Sequence, residues 1–162
     1  MAELTVNTEA VLRNYHRFAE QGQVIPVLKD NACGLGMERI MALLQSEGVR
    51  LFACSTPDEA LQLSGKGADI LLLSCVHDRK TMEKLAAQDI ILAVESFDQA
   101  ETLASLSKDV RVHLAVDTGF GRFGFLPHET ADMKAVFSLK SGYDPYRFRP
   151  IDAVGNERFH IR

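Results

Sequence analysis

Tryptophan is absent and tyrosine occurs three times in 162 residues, so the apolar content, 46% of the chain, rests on aliphatic side chains and nine phenylalanines. That supply fills one ordinary core, and the length suits one domain. Long apolar runs are missing as well, since the longest, 70–73 and 90–94, fall far short of the stretch a membrane-spanning helix requires. No membrane segment is expected. Neither charge dominates: 18 Lys+Arg against 22 Asp+Glu give a net charge of -4, which offers no electrostatic footprint for nucleic acid or an anionic lipid surface. The expected partners are small molecules and other protein chains. The opening residues, Met-Ala-Glu-Leu-Thr-Val, lack the basic and apolar regions of a secretory signal, so a cytoplasmic location is expected.

Cysteine is scarce too. Cys33, Cys54 and Cys75 cannot all pair, and each lies 21 residues after the last, at or just past the end of a candidate strand. The interval therefore records a strand-to-strand repeat. Without a CxxC or a histidine at ligand spacing, the three are expected as small buried hydrophobes rather than as a metal site.

What the chain does contain is a run of β-rich segments, at 24–29, 50–55, 69–74, 90–94 and 110–116. They are continuously apolar rather than alternating, as strands buried on both faces of a parallel sheet are. Helical signals fill the gaps. Thr56-Pro57-Asp58-Glu59 combines a capping Thr, a first-turn Pro and a Glu three residues on, and Ser96-Phe97-Asp98-Gln99 repeats the box. Val11, Leu12, Tyr15, Phe18 and Ala19 form one helical stripe, and Met37, Ile40, Met41 and Leu44 another. A last helix is expected over 127–139. The sum is about five β-α units behind a leading helix, which fits a partial (β/α) barrel or an open parallel sheet but not the roughly 250 residues of a full barrel. Residues 1–140 are expected to form this incomplete domain. Residues 141–162, which show no period and include Tyr143, Tyr146, Phe148 and Phe159, are expected as an irregular tail available to cover an open sheet edge.

In a parallel α/β fold, ligands gather at the carboxyl ends of the strands. Lys29 stands at such an end, where an apolar strand runs into the polar turn 30–36. An amine emerging from a partly dry wall is shifted toward its neutral, nucleophilic form, which Schiff-base chemistry uses. The ordinary alternative is a solvated surface charge. A second cluster follows the last strand, where Gly119, Gly121 and Gly124 spell G-x-G-x-x-G. No helix opens at the third glycine, so a dinucleotide site is not expected. The glycines instead permit tight turns that leave Arg122 as a donor for an anion, or as one half of a rim salt bridge.

Taken together, VLKDNACGLG and VDTGFGRFGF, joined in order by RLFACSTPDEALQL and DILLLS, resemble the N-terminal barrel domain of alanine racemase. The resemblance covers roughly residues 4 to 126. It implies pyridoxal phosphate as cofactor, held by Lys29 as a Schiff base, with Arg122 near the cofactor's phenolic oxygen and the substrate carboxylate. It also implies an amino acid, alanine, as substrate and a homo-oligomeric assembly. In the family the lysine is one of two bases, a tyrosine serving the opposite face. The chain departs from the pattern at Cys33, where a phosphate-holding tyrosine is usual, at Ala115, where a lysine often stands, and at Leu35, where histidine is common. The family's remaining strands, phosphate loops and second base have no counterpart in these 162 residues. Racemisation by this chain alone is therefore not expected. The other function classes are a non-catalytic partial barrel acting as an assembly or interaction module, and a phosphate-accepting regulator. The last would need its lysine on the final strand rather than the first.

Overall fold

The computed structural model describes residues 4–107 and 110–139, and the backbone of 148–150. The leading helix α1 (Thr8–Ala19) is followed by a short helical turn α2 (Lys29–Cys33) and by α3 (Met37–Ser46). Strands and helices then alternate: β1 (Leu51–Cys54), α4 (Pro57–Leu63), β2 (Asp69–Leu72), α5 (Arg79–Ala87), β3 (Ile91–Val94), α6 (Phe97–Ala104), β4 (Val110–Leu114), α7 (Thr130–Ser138) and β5 (Phe148–Pro150). All strand pairs are parallel, and the sheet is open with order β1-β2-β3-β4-β5. Within the expected tail, the β5 backbone pairs with β4 and covers that edge inside the chain. The rest of 141–162 lies outside the described residues, as do the side chains of the stretch.

The sheet is buried on both faces. Phe52, Cys54, Ile70, Leu72, Leu92, Val94, Val110 and Val112 join the main core beneath the helices, while Ala53, Leu71 and Ile91 form a smaller cluster on the other face. This is the arrangement that the unalternating strand segments require. Helix boundaries follow local chemistry. Thr56 Oγ1 accepts the Glu59 N–H and the Glu59 carboxylate accepts the Thr56 N–H, a complete capping box. Ser96 caps α6 in the same way, but Gln99 reaches past it and accepts from Glu95 N. Met37, Ile40, Met41 and Leu44 are all buried. On α1 only Val11, Leu12 and Tyr15 pack against the core, and Phe18 is left 65% exposed. At the amino-terminal ends of the strands, the Arg111 guanidinium ties β2 to β4 and to the β3 approach through Asp69 at 2.8 Å and Asp89 at 3.1 Å.

Two expectations are corrected. The first expected strand, 24–29, shrinks to an isolated bridge between Val27 and Ala53, with Leu28 N–H on Ala53 O at 2.7 Å and Ala53 N–H on Pro26 O at 2.9 Å. Pro26 has no N–H to extend the ladder, and the chain turns sharply after Lys29. The cysteines are free and of three kinds: Cys54 is buried, Cys75 is half-buried and Cys33 is exposed. Burial pushes the Cys54 and Cys75 thiols up to about 12, which keeps both protonated and unreactive. Among the described residues no group of histidine, cysteine or acidic side chains is placed to hold a metal. Nor is any of their helices long and apolar enough to cross a membrane.

Candidate functional site

Lys29 is at the carboxyl end of the segment paired with β1. It is exposed, not set in a dry wall, and its side-chain amine makes no hydrogen bond or ion pair among the described residues. The backbone after it is unusual. Asp30, Asn31, Ala32 and Cys33 all have φ of 53–54°, so α2 is a left-handed turn made without glycine. Each such residue costs about 1–2 kcal/mol, less for Asp and Asn. The turn closes through Ala32 N–H on Leu28 O, Gly34 N–H on Asp30 O and Gly36 N–H on Asn31 O, each at 2.9 Å.

Two side chains hold it. Asn31 Oδ1 accepts Met37 N–H at 2.9 Å, which joins the turn to α3. Glu59 Oε1 accepts Asp30 N–H at 2.6 Å, and Glu59 Oε2 accepts Ser55 and Thr56 N–H, each at 3.1 Å. Burial opposes the charge on this carboxylate, but the backbone donors of Ser55, Asp30 and Thr56 outweigh it and lower its pKa. One acidic side chain therefore fastens the turn beside Lys29 to the end of β1.

The loop after β4 is organised by its own acid. Asp117 Oδ1 accepts Gly119 N–H at 2.9 Å and Gly121 N–H at 3.0 Å, so the donors a nucleotide phosphate would need are already taken. The chain then returns beside β4: Asp117 N–H bonds Phe125 O at 2.9 Å, Phe125 N–H bonds Ala115 O at 2.8 Å, and Phe125 is buried. Gly124 N–H bonds Glu95 Oε2 at 3.2 Å, while Glu95 Oε1 meets His77 Nε2 at 2.9 Å. Glu95 is steadied by Gln99, a buried amide that also donates to Val76 O and Ala93 O. Arg122 is exposed, and its guanidinium lies 5.0 Å from the Phe120 ring and 4.7 Å from the Phe123 ring. It is in neither a rim salt bridge nor contact with a described carboxylate.

Lys29 and Arg122 thus share the carboxyl side of one sheet, but β1, β2 and β3 lie between the elements that carry them. Sequence reading missed the second roles of Glu59 and Glu95. The Glu59 signal was legible only as a capping box, because its bond to Asp30 spans 29 residues.

The Gly121, Gly119 and Phe120 backbone donors hold the Asp117 carboxyl below its ordinary value, against a small cost of burial. Because the folded value is depressed, the contribution of this carboxylate is complete above the unfolded pKa and is lost as pH falls through the folded one. The Gly119 and Gly121 amide resonances should titrate together with a midpoint below that of an ordinary aspartate. A midpoint at or above the ordinary value would contradict the loop geometry.

The family described as alanine racemase, N-terminal domain, matches residues 6–143. The chain belongs to the alanine racemase family. An alanine racemase of Nitratidesulfovibrio vulgaris (strain DP4) is 35% identical over 136 residues, which are 80% of this chain and 36% of that protein. The chain thus spans little more than a third of the length of this relative. Among solved structures, the histidine racemase of Leuconostoc mesenteroides superposes with a TM-score of 0.73 at 28% identity, over 90% of this chain and 42% of that one. The alanine racemase of Bartonella henselae, solved with covalently bound pyridoxal phosphate, has a TM-score of 0.71 at 24% identity over 91% of this chain and 44% of that one, a likeness of fold. The open parallel sheet is accordingly part of the barrel of this family.

Proposed function

We propose that the chain carries the lysine side of a pyridoxal phosphate-dependent amino-acid racemase site, with Lys29 as the residue that bonds the cofactor and Arg122 as its anion-binding companion. The observation that supports this best is Lys29 itself, an amine without a partner among the described residues, just past the bridge to β1 and beside a braced left-handed turn. The aldehyde end of the cofactor fits this amine. The phosphate end is less well served, because Cys33 stands in the turn and the Gly119 and Gly121 donors are engaged by Asp117.

Bound pyridoxal phosphate supplies an electron sink for the α-carbon of an amino acid. Lys29 Nζ would bond the cofactor's aldehyde carbon in the absence of substrate and, once a substrate amine has displaced it there, would be the free amine that accepts and returns a proton on one face of the substrate. Arg122 offers five N–H donors to a carboxylate or phenolic oxygen. Turning its guanidinium from the Phe120 and Phe123 rings onto an anion exchanges cation–π contacts for charge-assisted hydrogen bonds. Alanine is the substrate favoured by the relatives' names, and we propose a cytoplasmic homo-oligomer as its setting. In domain terms, 1–140 is the main barrel part and 141–162 an appended tail whose 148–150 backbone adds β5 to the sheet.

Incubation with pyridoxal phosphate followed by borohydride should label Lys29, and Lys29→Ala should remove most of the label. Peptide mapping that finds the label spread over several lysines would remove the proposal.

A second reading, the non-catalytic assembly module, is favoured by apolar side chains left open around the strand ends: Val27 49%, Val116 43%, Leu126 43% and Phe120 80% exposed. Light scattering that finds a stable oligomer without any cofactor adduct on Lys29 would select it.

A further inference from the structure

Glu59 does more than begin a helix. Its capping-box bond to Thr56 uses Oε2, which also accepts Ser55 N–H, while Oε1 is given wholly to Asp30 N–H, the first peptide after Lys29. Both carboxylate oxygens therefore face N–H donors. Asp30 is also the first of the four left-handed residues, a conformation that side-chain-bearing residues leave unless the surroundings hold them. The Asn31 bond to Met37 fixes the far end of the turn, and Glu59 alone among the described side chains fixes the near end to β1 and α4.

We propose that Glu59 is a positioning residue for Lys29: its carboxylate clamps the left-handed turn to the end of β1 and so sets where the Lys29 amine is presented. This rests on the reading of Lys29 as the cofactor lysine. An amide cannot replace the carboxylate, because one of its two ends must turn N–H groups toward the N–H of Asp30 or toward those of Ser55 and Thr56. Aspartate keeps the charge but is one methylene short of reaching both Asp30 N–H and the N–H groups of Ser55 and Thr56.

The test compares Glu59→Gln and Glu59→Asp with Thr56→Ala, which removes the hydroxyl acceptor at the start of α4 but does not touch the bond to Asp30. Amide hydrogen exchange is read at Ala32, Gly34 and Gly36, whose bonds close the turn. In either Glu59 variant these amides should exchange at least tenfold faster while those of β2 and β3 keep their protection, and Lys29 labelling by pyridoxal phosphate and borohydride should fall by a similar factor. Thr56→Ala should leave both unchanged. If E59Q does not fold, E59D carries the same comparison. Equal acceleration across the whole chain, or equal effects of T56A, would overturn the clamp and leave Glu59 a helix cap. If the unaltered chain takes no label at Lys29, the cofactor reading fails while the exchange data still decide the clamp.

Discussion

Replacing Gly124 with alanine should destabilise the chain by about 3 kcal/mol, an effect at the upper end of ordinary single substitutions. A Cβ at this position would lie 2.7 Å from Asp117 N, 2.9 Å from the Val116 carbonyl carbon and 3.1 Å from the Ala115 carbonyl carbon. All three are backbone atoms of the segment that extends β4, so no side chain can turn aside. The φ of 117° adds strain of its own. Relief requires the 124–125 segment to move away, which breaks the Phe125 N–H bond to Ala115 O and draws buried Phe125 out of the core. It also takes Gly124 N–H from Glu95, so the base of the Arg122 loop loosens with the fold. Gly121→Ala is the comparison. There a Cβ meets nothing within 4 Å and only the φ of 73° opposes it, for a cost of about 1–2 kcal/mol. Thermal or denaturant unfolding of both variants reads the difference. Equal losses would mean that the close approach of 124 to β4 does not exist in solution.

The 162-residue chain, purified alone, should interconvert L- and D-alanine at least about a thousandfold more slowly than full-length members of its family, the scale on which the loss of one group in a concerted catalytic set is felt. Inverting an α-carbon needs a proton taken from one face and delivered to the other. On the proposed reading Lys29 serves one face. Among the described residues no tyrosine stands at the carboxyl ends of the strands, since Tyr15 belongs to α1 and packs toward the core. Arg122 is no substitute, as a guanidinium does not give up its proton in proteins. Circular dichroism at a saturating concentration of either enantiomer measures the rate. Robust interconversion would show that a second base comes from a group not yet assigned, from this chain or from a copy of it.

Much of the fold could be read from residues close in sequence. The Thr56 and Ser96 caps depend on bonds spanning three residues, and both helices begin where those signals stand. The strands at 50–55, 69–74, 90–94 and 110–116 were legible because both faces of the sheet are covered, which removes alternation and leaves a plain apolar run. The segment 24–29 misled for the opposite reason. Its composition is that of a strand, but Pro26 and the turn after Lys29 limit its pairing to one bridge. The exposed Cys33 misled likewise, since its place in the 21-residue interval implied burial that the left-handed turn does not provide.

The sequence by itself determined the alternation of strand and helix from 50 onward, the helix starts and the order of the two motifs, because these rest on interactions within a few residues and on the burial period of each element. The tertiary structure alone decided the left-handed path after Lys29, its tether to Glu59 across 29 residues, the grip of Glu95 on Gly124 across the same separation, and the resting place of Arg122 on two aromatic rings. Dihedrals disfavoured by local sterics persist only where distant groups hold them, and which groups those are depends on strands that become neighbours only when the sheet forms.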